Sequence, residues 1–322
     1  MRLPLVYLLS TPMQTYPSQF RNSAGQPMAL GKELASGGEG AVFASGERGD
    51  EVIKVYHRRN ASALRARDDK LTAMVAMPAL RAYRPLAWPQ RLLYSQDGHV
   101  AGYSMRKISG VTLVPMTAPA LMRRRLPAWG PAHIARVVHD LASIFHEAES
   151  NGVMIADLGL GNFIVDPKTA EVSGIDCDSY TICLSDRVFP STVFTVELQA
   201  PEILCGKLPL SAFGPAQFRF AGALLLFSLM TGGNPFASRE GLSIPEAIVA
   251  RRHFIGGRGV AGGCTNDAIW QRYRSLPPHL ASLSKRAFIE GYDDHSARPT
   301  FAEWRSAARN YFDALRPIST QS

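Results

Sequence analysis

The segment Phe218–Met230 is almost wholly apolar, and it constrains the fold more than any other part of the chain. A helix that is apolar on every side has to be buried on every side. The segment is nevertheless shorter than the roughly 20 residues that cross a bilayer, and no other apolar run approaches that length. We therefore predict a helix buried in the middle of a helical lobe, and no transmembrane helix.

The chain of 322 residues is long enough to surround such a helix. Its length exceeds that of a usual single domain, so we expect one large domain with two lobes or two small domains. Apolar residues make up 46% of the chain and charged residues 19%, which is typical of a globular protein with a large core. This composition excludes a disordered protein, a coiled coil and a collagen-like fibre.

Two features of the sequence bear on its compartment. Leu3–Leu9 is apolar but short, contains Pro4 and follows only Arg2, so it makes a poor signal peptide. The four cysteines form no CxxC pair and no metal-binding spacing with histidine, which favours a reducing compartment over a disulfide framework. We predict a cytoplasmic protein that has no membrane partner.

The residue pattern changes from strands to helices near Gly110. Before this glycine, the sequence predicts one helix over Arg58–Met77 and the strands Ala41–Phe43, Val52–Tyr56, Arg91–Tyr94 and Val100–Met105. After it, helices are predicted at Pro131–Ser150, in the apolar segment, at 279–290 and at 300–315. We infer an irregular lead-in over 1–28, a β-rich small lobe over 29–108, a helical large lobe over 109–316 and a tail over 317–322. A ligand would be expected in a cleft between the two lobes.

A glycine-rich turn, Gly37-Gly38-Glu39-Gly40, lies ahead of Lys54 on the next predicted strand. Glycines let a hairpin backbone approach phosphates closely, and a lysine on the following strand can pair with the α- and β-phosphates of ATP. Taken alone, the pattern also fits an ordinary turn followed by a solvated lysine.

Two further motifs carry acidic residues. Asp157 and Asn162 are followed by a strand, a turn and a second strand that ends at Asp176. One of these side chains can orient a hydroxyl nucleophile while the other two hold Mg²⁺, which prefers oxygen ligands; two hairpin turns rich in Asp and Asn are the alternative. Farther on, a buried Glu202 in Ala-Pro-Glu would need a partner, and the distant Arg298 can supply a bidentate one.

Together and in this order, the motifs resemble those of the eukaryotic-like protein kinase family, and the resemblance extends from about Leu30 to Leu315. It implies an α+β, two-lobed protein-kinase-like fold, with a β-rich N-lobe, a helical C-lobe and ATP in the cleft between them. It also implies transfer of the γ-phosphate of ATP to Ser or Thr hydroxyls of a protein substrate, with Mg²⁺ or alternatively Mn²⁺ as the metal.

The resemblance assigns roles residue by residue. Asp157 would accept or orient the proton of the substrate hydroxyl, Lys54 would hold the α- and β-phosphates, and Asn162 and Asp176 would coordinate the metal. The other nucleotide-binding positions are the gatekeeper Met105, the hinge residues Arg106, Lys107 and Ile108, the glycines Gly37, Gly38 and Gly40, and the adenine-sandwiching Val42, Val52 and Ile164.

Three segments are similar to a narrower, bacterial branch of the family: Gly37–Gly40, Lys54–His57 and Ile175–Ser179. Kinases of that branch are often encoded with a PP2C-type phosphatase and a von Willebrand factor A protein, some of them in tellurium-resistance clusters. The resemblance therefore implies these two proteins as partners in addition to a protein substrate.

Several positions depart from the family pattern. Ile155-Ala156 replaces the His-Arg pair before Asp157, which predicts that phosphorylation of the activation segment is not the on-switch. Gly159 stands in place of a lysine near the γ-phosphate, which removes a positive charge. Cys177-Asp178 replaces Phe-Gly, so the segment has less freedom to flip and Asp178 becomes an alternative metal ligand. Gln217-Phe218 stands where an Asp usually opens the central helix, so the anchoring of the catalytic loop must differ.

The helix that should supply a glutamate partner for Lys54 contains no Glu between His57 and Pro78. Asp69 is the predicted substitute and Asp68 the alternative, although both also fit a solvated helix surface.

These patterns leave three hypotheses. An active protein kinase is favoured, because Lys54, Asp157, Asn162 and Asp176 are all present. A pseudokinase that binds nucleotide and positions partners is the alternative, supported by the departures above. The net charge of +8 permits nucleic-acid binding, but the sequence contains no helix-turn-helix, zinc or RNA-binding signature, so nucleic acid is not a predicted partner.

Overall fold

The structure, a computed structural model, describes residues 20–57, 61–237, 241–255 and 267–315. These residues divide into two units. The first contains the described residues up to Thr72 together with Gln90–Arg106, and the second contains Ala73–Pro89 and the described residues from Lys107 onward. This division assigns 73–89 to the second unit, whereas the sequence analysis placed them in the small lobe.

The first unit contains an antiparallel sheet of seven strands, in the order β2-β1-β6-β7-β5-β4-β3. Its strands are β1 (Phe20–Arg21), β2 (Pro27–Met28), β3 (Leu30–Ser36), β4 (Gly40–Ser45), β5 (Glu51–Tyr56), β6 (Arg91–Tyr94) and β7 (Val100–Arg106). The β-branched and aromatic residues of the predicted strands favour this pleated structure. Strand β5 is buried along its whole length, between β4 and β7.

Residues 20–28 differ from the irregular lead-in expected over 1–28, because β1 and β2 form a short hairpin that joins the sheet at β6. Phe20 and Met28 are only 1% and 3% exposed and pack in a core with Phe43, Ile53 and Leu93. Strands of two residues are too short to produce a periodic pattern, so periodicity does not predict them. The lead-in residues 1–19 and the tail 317–322 lie outside the described residues.

Helix α1 (Ala61–Val75) and the short α2 (Pro78–Ala82) occupy the region where one helix was predicted over Arg58–Met77. Pro78 opens α2, where its missing N–H removes a donor that would have no partner within the helix. Within the second unit, the Trp88 indole donates to the backbone oxygen of Met74 at 2.9 Å. This bond ties the end of α1 to the segment that follows α2.

The second unit is mainly helical. Its remaining helices are α3 (Pro119–Arg125), α4 (Pro131–Ser150), α5 (Pro201–Leu204), α6 (Pro215–Thr231), α7 (Ile244–Val249), α8 (Asp267–Arg274), α9 (Pro278–Lys285), α10 (Gly291–Asp293) and α11 (Phe301–Leu315), with a π-helical turn at Arg286–Glu290. Helix α4 has the predicted bounds, and α6 contains the apolar segment. Within the described ranges, every helix is too short or too polar to cross a membrane.

Three aromatic rings show that α6 is buried as predicted. Phe218 of α6 lies 5.5 Å from Phe145 of α4 and 4.7 Å from Phe301 of α11, measured between ring centroids. A Cβ atom at Gly222 would lie only 2.5 Å from the Phe301 ring, so α6 and α11 approach closely because this position is glycine. The antiparallel sheet and the helical second unit together confirm the α+β class.

Two small three-stranded sheets of the second unit flank the loops that contain Asp157, Asn162 and Asp176. One has the order β11-β10-β8, formed by β8 (Val111–Thr112), β10 (Phe163–Val165) and β11 (Val172–Gly174). The other has the order β13-β12-β9, formed by β9 (Val153–Met154), β12 (Thr181–Cys183) and β13 (Val188–Phe189).

Candidate active site

Asp157 is the centre of a hydrogen-bonded group in the second unit. The loop leaves β9 through Ile155 and Ala156, which are 0% and 1% exposed, and presents Asp157 half-buried. The Thr195 hydroxyl donates to Asp157 Oδ1 at 2.6 Å, and Asn162 Nδ2 donates to Oδ2 at 2.8 Å. Both carboxylate oxygens are therefore held in place by side chains from two other segments.

The hairpin β10–β11 brings Asn162 and Asp176 to the same end of a small sheet. The backbone N–H of Ile175, the residue before Asp176, donates to the backbone oxygen of Asn162 at 2.9 Å. Because Asn162 donates to Asp157 through Nδ2, its amide oxygen Oδ1 is the atom that remains for a metal. Both side chains offer the hard oxygen atoms that Mg²⁺ prefers.

Asp176 adopts a left-handed backbone conformation with φ of 58°. Asp tolerates this region better than most residues, since its short polar side chain bonds locally. Here the Ser179 hydroxyl donates to the Asp176 backbone oxygen at 2.8 Å. The turn after β11 is therefore closed by Ser179, with Cys177 completely buried inside it.

The segment that joins β7 to β8 contains Lys107, which is exposed, and Ile108, which is half-buried. It leads to Gly110, whose φ is +149° and whose missing Cβ would lie 2.3 Å from the Val165 oxygen. The close approach requires glycine and lets Thr112 of β8 pair with Ile164 of β10. Ile164, a predicted adenine contact, therefore lies in β10, the strand that directly follows Asn162.

In the first unit, successive residues of each strand point to opposite faces of the sheet. The predicted nucleotide contacts lie on one face, and the core residues lie on the other. Val42 pairs with Lys54 across β4 and β5, and Val52 pairs with Met105 across β5 and β7. Paired residues and residues two apart share one face of a sheet, so these four share a face. The intervening residues, such as Ile53, point to the opposite face and pack in the core. Lys54 itself is only 6% exposed.

The glycine-rich turn is held by His57 at the end of β5. Its backbone N–H donates to the Glu39 oxygen at 2.9 Å, and its ring Nε2 lies 2.9 Å from the Gly37 backbone oxygen, to which it donates in the tautomer with the proton on Nε2. A Cβ at Gly40 would lie 2.3 Å from the Val55 oxygen, so packing requires that glycine. Gly37 and Gly38 would meet no atom within 4 Å, which leaves open space over their backbone.

Asp69 and Asp68, the predicted partners of Lys54, lie in different environments. Asp69 is exposed. Asp68 accepts from the Val100 N–H at 3.4 Å and lies 3.6 Å from His99 Nδ1, which ties α1 to the start of β7. These contacts connect Asp68 with the start of β7, and the pairing of Lys54 with Asp69 or Asp68 stays a prediction.

Arg67 of α1 is a residue that the sequence analysis missed. Its guanidinium carbon lies 4.0 Å from the centre of the Tyr56 ring, and Lys54 Nζ lies 5.4 Å from the same ring. Arg67 precedes the buried Leu71 by four positions and therefore lies on the buried side of α1. Helical periodicity was the signal that could have found it.

A buried ion pair anchors the segment after Thr195. Arg298, 1% exposed, donates from both terminal nitrogens to the two oxygens of Glu202 at 2.8 Å, as predicted. Burial raises the pKa of Glu202, but the hydrogen bonds and charge of Arg298 outweigh this effect and leave the pKa lowered. Gln217 donates to Glu202 at 2.7 Å and accepts from the Gly214 N–H, so it serves this anchor and the start of α6.

No family model matches the chain. Among curated proteins, the chain is 28% identical over 306 residues to protein kinase YegI of Escherichia coli strain K12, and 27% identical over 294 residues to protein kinase YegI of Escherichia coli O157:H7. These matches cover 91% and 88% of this chain but 45% of each relative, so the chain spans less than half the length of the proteins it matches. The names of both relatives suggest a distant relationship to protein kinases.

Proposed function

We propose that the chain is a Mg-ATP-dependent protein kinase that transfers the γ-phosphate of ATP to Ser or Thr hydroxyls of a protein substrate. The observation that carries this proposal is the Asp157 carboxylate, held by Thr195 at 2.6 Å and by Asn162 at 2.8 Å. The similarity to two proteins named protein kinase supports the same reaction class.

In the proposed reaction, the oxygen of a substrate hydroxyl forms a bond to the γ-phosphorus, and the bond from that phosphorus to the bridging oxygen breaks, so that ADP leaves. The hydroxyl proton passes to the Asp157 carboxylate, which acts as the base. Thr195 fixes the position of Oδ1 through its hydroxyl. We propose that Thr195, placed beside Asp157, favours aliphatic hydroxyls over the phenol of tyrosine.

The metal is proposed to be bound by Asn162 Oδ1 and the Asp176 carboxylate. Among the described residues, no group of three or more His, Cys, Asp and Glu side chains forms a metal cage. Mg²⁺ suits such an incomplete donor set, since it usually binds through one or two carboxylates together with phosphates and water. When bound, it would neutralise negative charge on the phosphate oxygens.

The residues proposed to bind the nucleotide form two groups, one for its phosphates and one for its adenine ring. Lys54 and the open backbone of the glycine-rich turn would bind phosphates, and the apolar face of the sheet with Val42, Val52 and Met105 would bind adenine together with Ile164. The backbone at Lys107 and Ile108 would bind the adenine edge. A PP2C-type phosphatase and a von Willebrand factor A protein are proposed as partners on the sequence resemblance alone.

A pseudokinase that binds nucleotide without transferring phosphate is the second candidate. It is favoured by the buried Ile155 and Ala156, which give the loop no charged side chain before Asp157. It is also favoured by Gln217, which bonds to Glu202 and Gly214. Nucleotide binding measured by thermal shift, without transfer of labelled phosphate in the presence of Mg²⁺ or Mn²⁺, would replace the first candidate by this one.

The metal assignment is tested by comparing Asp176→Asn with Asp178→Asn, two half-buried acids in the same turn. Transfer of labelled γ-phosphate to the chain and to a basic protein is measured while the Mg²⁺ concentration is varied. We expect Asp176→Asn to raise the Mg²⁺ requirement by about tenfold or more, since it loses a charged ligand. Asp178→Asn should leave the requirement unchanged; the reverse result would identify Asp178 as the ligand.

The role of the glycine-rich turn is tested at His57. His57→Ala removes the hydrogen bond from the ring to the Gly37 backbone oxygen. The variant should bind ATP about fivefold more weakly, because one hydrogen bond contributes about 1 kcal/mol. His57→Gln retains a donor and should recover part of the affinity. The KM for ATP and the thermal shift by ATP are the measurements. An unchanged KM in His57→Ala would mean that the turn does not contact the nucleotide.

A further inference from the structure

A second candidate site lies within the second unit, apart from the residues assigned to nucleotide and metal. A pocket of about 290 Å³ forms among α3, the start of α4, the end of α6 and α8. Its apolar wall includes Met116, Met122, Leu126, Trp129, Ile134 and Met230. None of these residues has a role in the proposed phosphate transfer.

The wall of the pocket combines adaptable and fixed side chains. Met116 and Met122 are half-buried, and methionine side chains adjust readily to the shape of a ligand. Trp129 is held in place, because its indole N–H donates to the Pro167 oxygen at 3.0 Å and its ring stacks on His133 at 5.4 Å. Such a wall suits an apolar side chain that inserts from outside.

Two arginines line the pocket beside this apolar wall. Arg123 of α3 lines the pocket and is exposed, as are its neighbours Arg124 and Arg125. Arg272 of α8 lines the pocket as well and donates to the Thr231 oxygen at 3.0 Å, which fixes its position at the end of α6. The sequence contains no Asp or Glu between Lys107 and His139, so α3 and the start of α4 contribute no acid to offset these cations.

We propose that this pocket docks a segment of a partner protein in which an apolar side chain is flanked by acidic residues. The apolar side chain fills the space beside Met122 and Trp129, and the acids meet Arg123 and Arg272. Charge complementarity selects this occupant over a basic or neutral segment. The proposal does not depend on phosphate transfer, because docking requires no nucleotide.

Binding is tested by fluorescence anisotropy with the full chain, in the absence of nucleotide. The probe is the labelled peptide Asp-Glu-Asp-Leu-Leu-Glu-Asp; one control peptide replaces both leucines by serine and another replaces the acids by lysine. We expect only the first peptide to bind. Arg123→Glu should weaken this binding by about tenfold, the effect of turning an attractive charge into a repulsive one at the rim.

Arg274→Glu is the matched control, because Arg274 is exposed on α8 and does not line the pocket. It should leave the affinity unchanged, whereas Met122→Glu should abolish binding through the same charge in the apolar wall. Thermal unfolding verifies that each variant is folded. Asp157→Asn should bind the peptide like the wild type, so loss of transfer and loss of docking are distinguishable.

Four results would overturn the proposal. The first is equal weakening by Arg123→Glu and Arg274→Glu, which would indicate general charge attraction. The second is a lack of binding of the leucine peptide. The third is binding of dodecanoate or phosphatidylglycerol vesicles without peptide binding, which would make the occupant a lipid. The fourth is self-association that Met122→Glu abolishes without peptide binding, which would make the occupant a second copy of the chain.

Discussion

The Asp157→Asn variant is expected to transfer labelled γ-phosphate about 10³-fold more slowly than the wild type, the usual contribution of a general base. The substitution keeps the size of the side chain and removes its negative charge. An Asn side chain can still accept from Asn162 through its oxygen and donate to the Thr195 hydroxyl, so the local geometry should survive. The loss would therefore be one of proton acceptance, measured as kcat with ATP affinity unchanged.

Asp186→Asn provides the matched control for this substitution. Asp186 is exposed and lies 3.5 Å from the neighbouring Arg187, so its replacement should leave transfer unchanged. A comparable transfer rate in wild type and Asp157→Asn would contradict the proposed role of Asp157. Bound ATP in both proteins with no transfer in either would favour the pseudokinase.

Glu202→Gln is expected to lower the free energy of unfolding by about 3–5 kcal/mol, the cost of leaving a buried charge without its partner. The Arg298 guanidinium is completely buried, and its two hydrogen bonds to Glu202 measure 2.8 Å. Its remaining bonds, to the Gly291 and Ala216 oxygens, do not neutralise its charge. Urea unfolding measures the effect, and the exposed Glu197→Gln should change stability by less than about 0.5 kcal/mol.

The same ion pair sets a pH dependence. The folded-state pKa of Glu202 is lowered, so its stabilising contribution is complete above the pKa of the unfolded chain and is lost as the pH falls through the folded-state pKa. The wild type should therefore lose stability on acidification more steeply than Glu202→Gln. The double variant Glu202→Gln, Arg298→Met should recover part of the lost stability, because no buried charge remains. Equal stability of wild type and Glu202→Gln would contradict the anchoring role.

The Glu202–Arg298 ion pair could be predicted from the sequence because its two residues need each other chemically. A carboxylate inside a mainly apolar segment needs a cation, and Arg298 follows Glu202 at a distance that only the kinase resemblance made meaningful. The structure confirms the pair. The structure also shows that Gln217 donates to Glu202. This contact could not be predicted from the sequence, because an amide has many equivalent partners and no charge that identifies one.

Helix α1 shows the opposite case. The sequence predicts the helix, and charge favours Asp69, or alternatively Asp68, as the partner of Lys54. The structure places Arg67 against the ring of Tyr56, next to Lys54, and turns Asp68 toward His99. Neighbouring residues of a helix point in directions about 100° apart, so charge alone does not identify the residue that faces a given side chain.

The sequence by itself determined the α+β class, the bounds of α4 and the burial of α6. It also identified Lys54, Asp157, Asn162 and Asp176 as candidate site residues. Each of these depends on a period or spacing that is local to the chain. Only the tertiary structure decided that residues 20–28 join the sheet, that Arg67 faces Tyr56, and that α3, α4, α6 and α8 enclose a pocket. These features depend on contacts between segments far apart in sequence, whose pairing is selected by packing over the whole unit and leaves no local pattern.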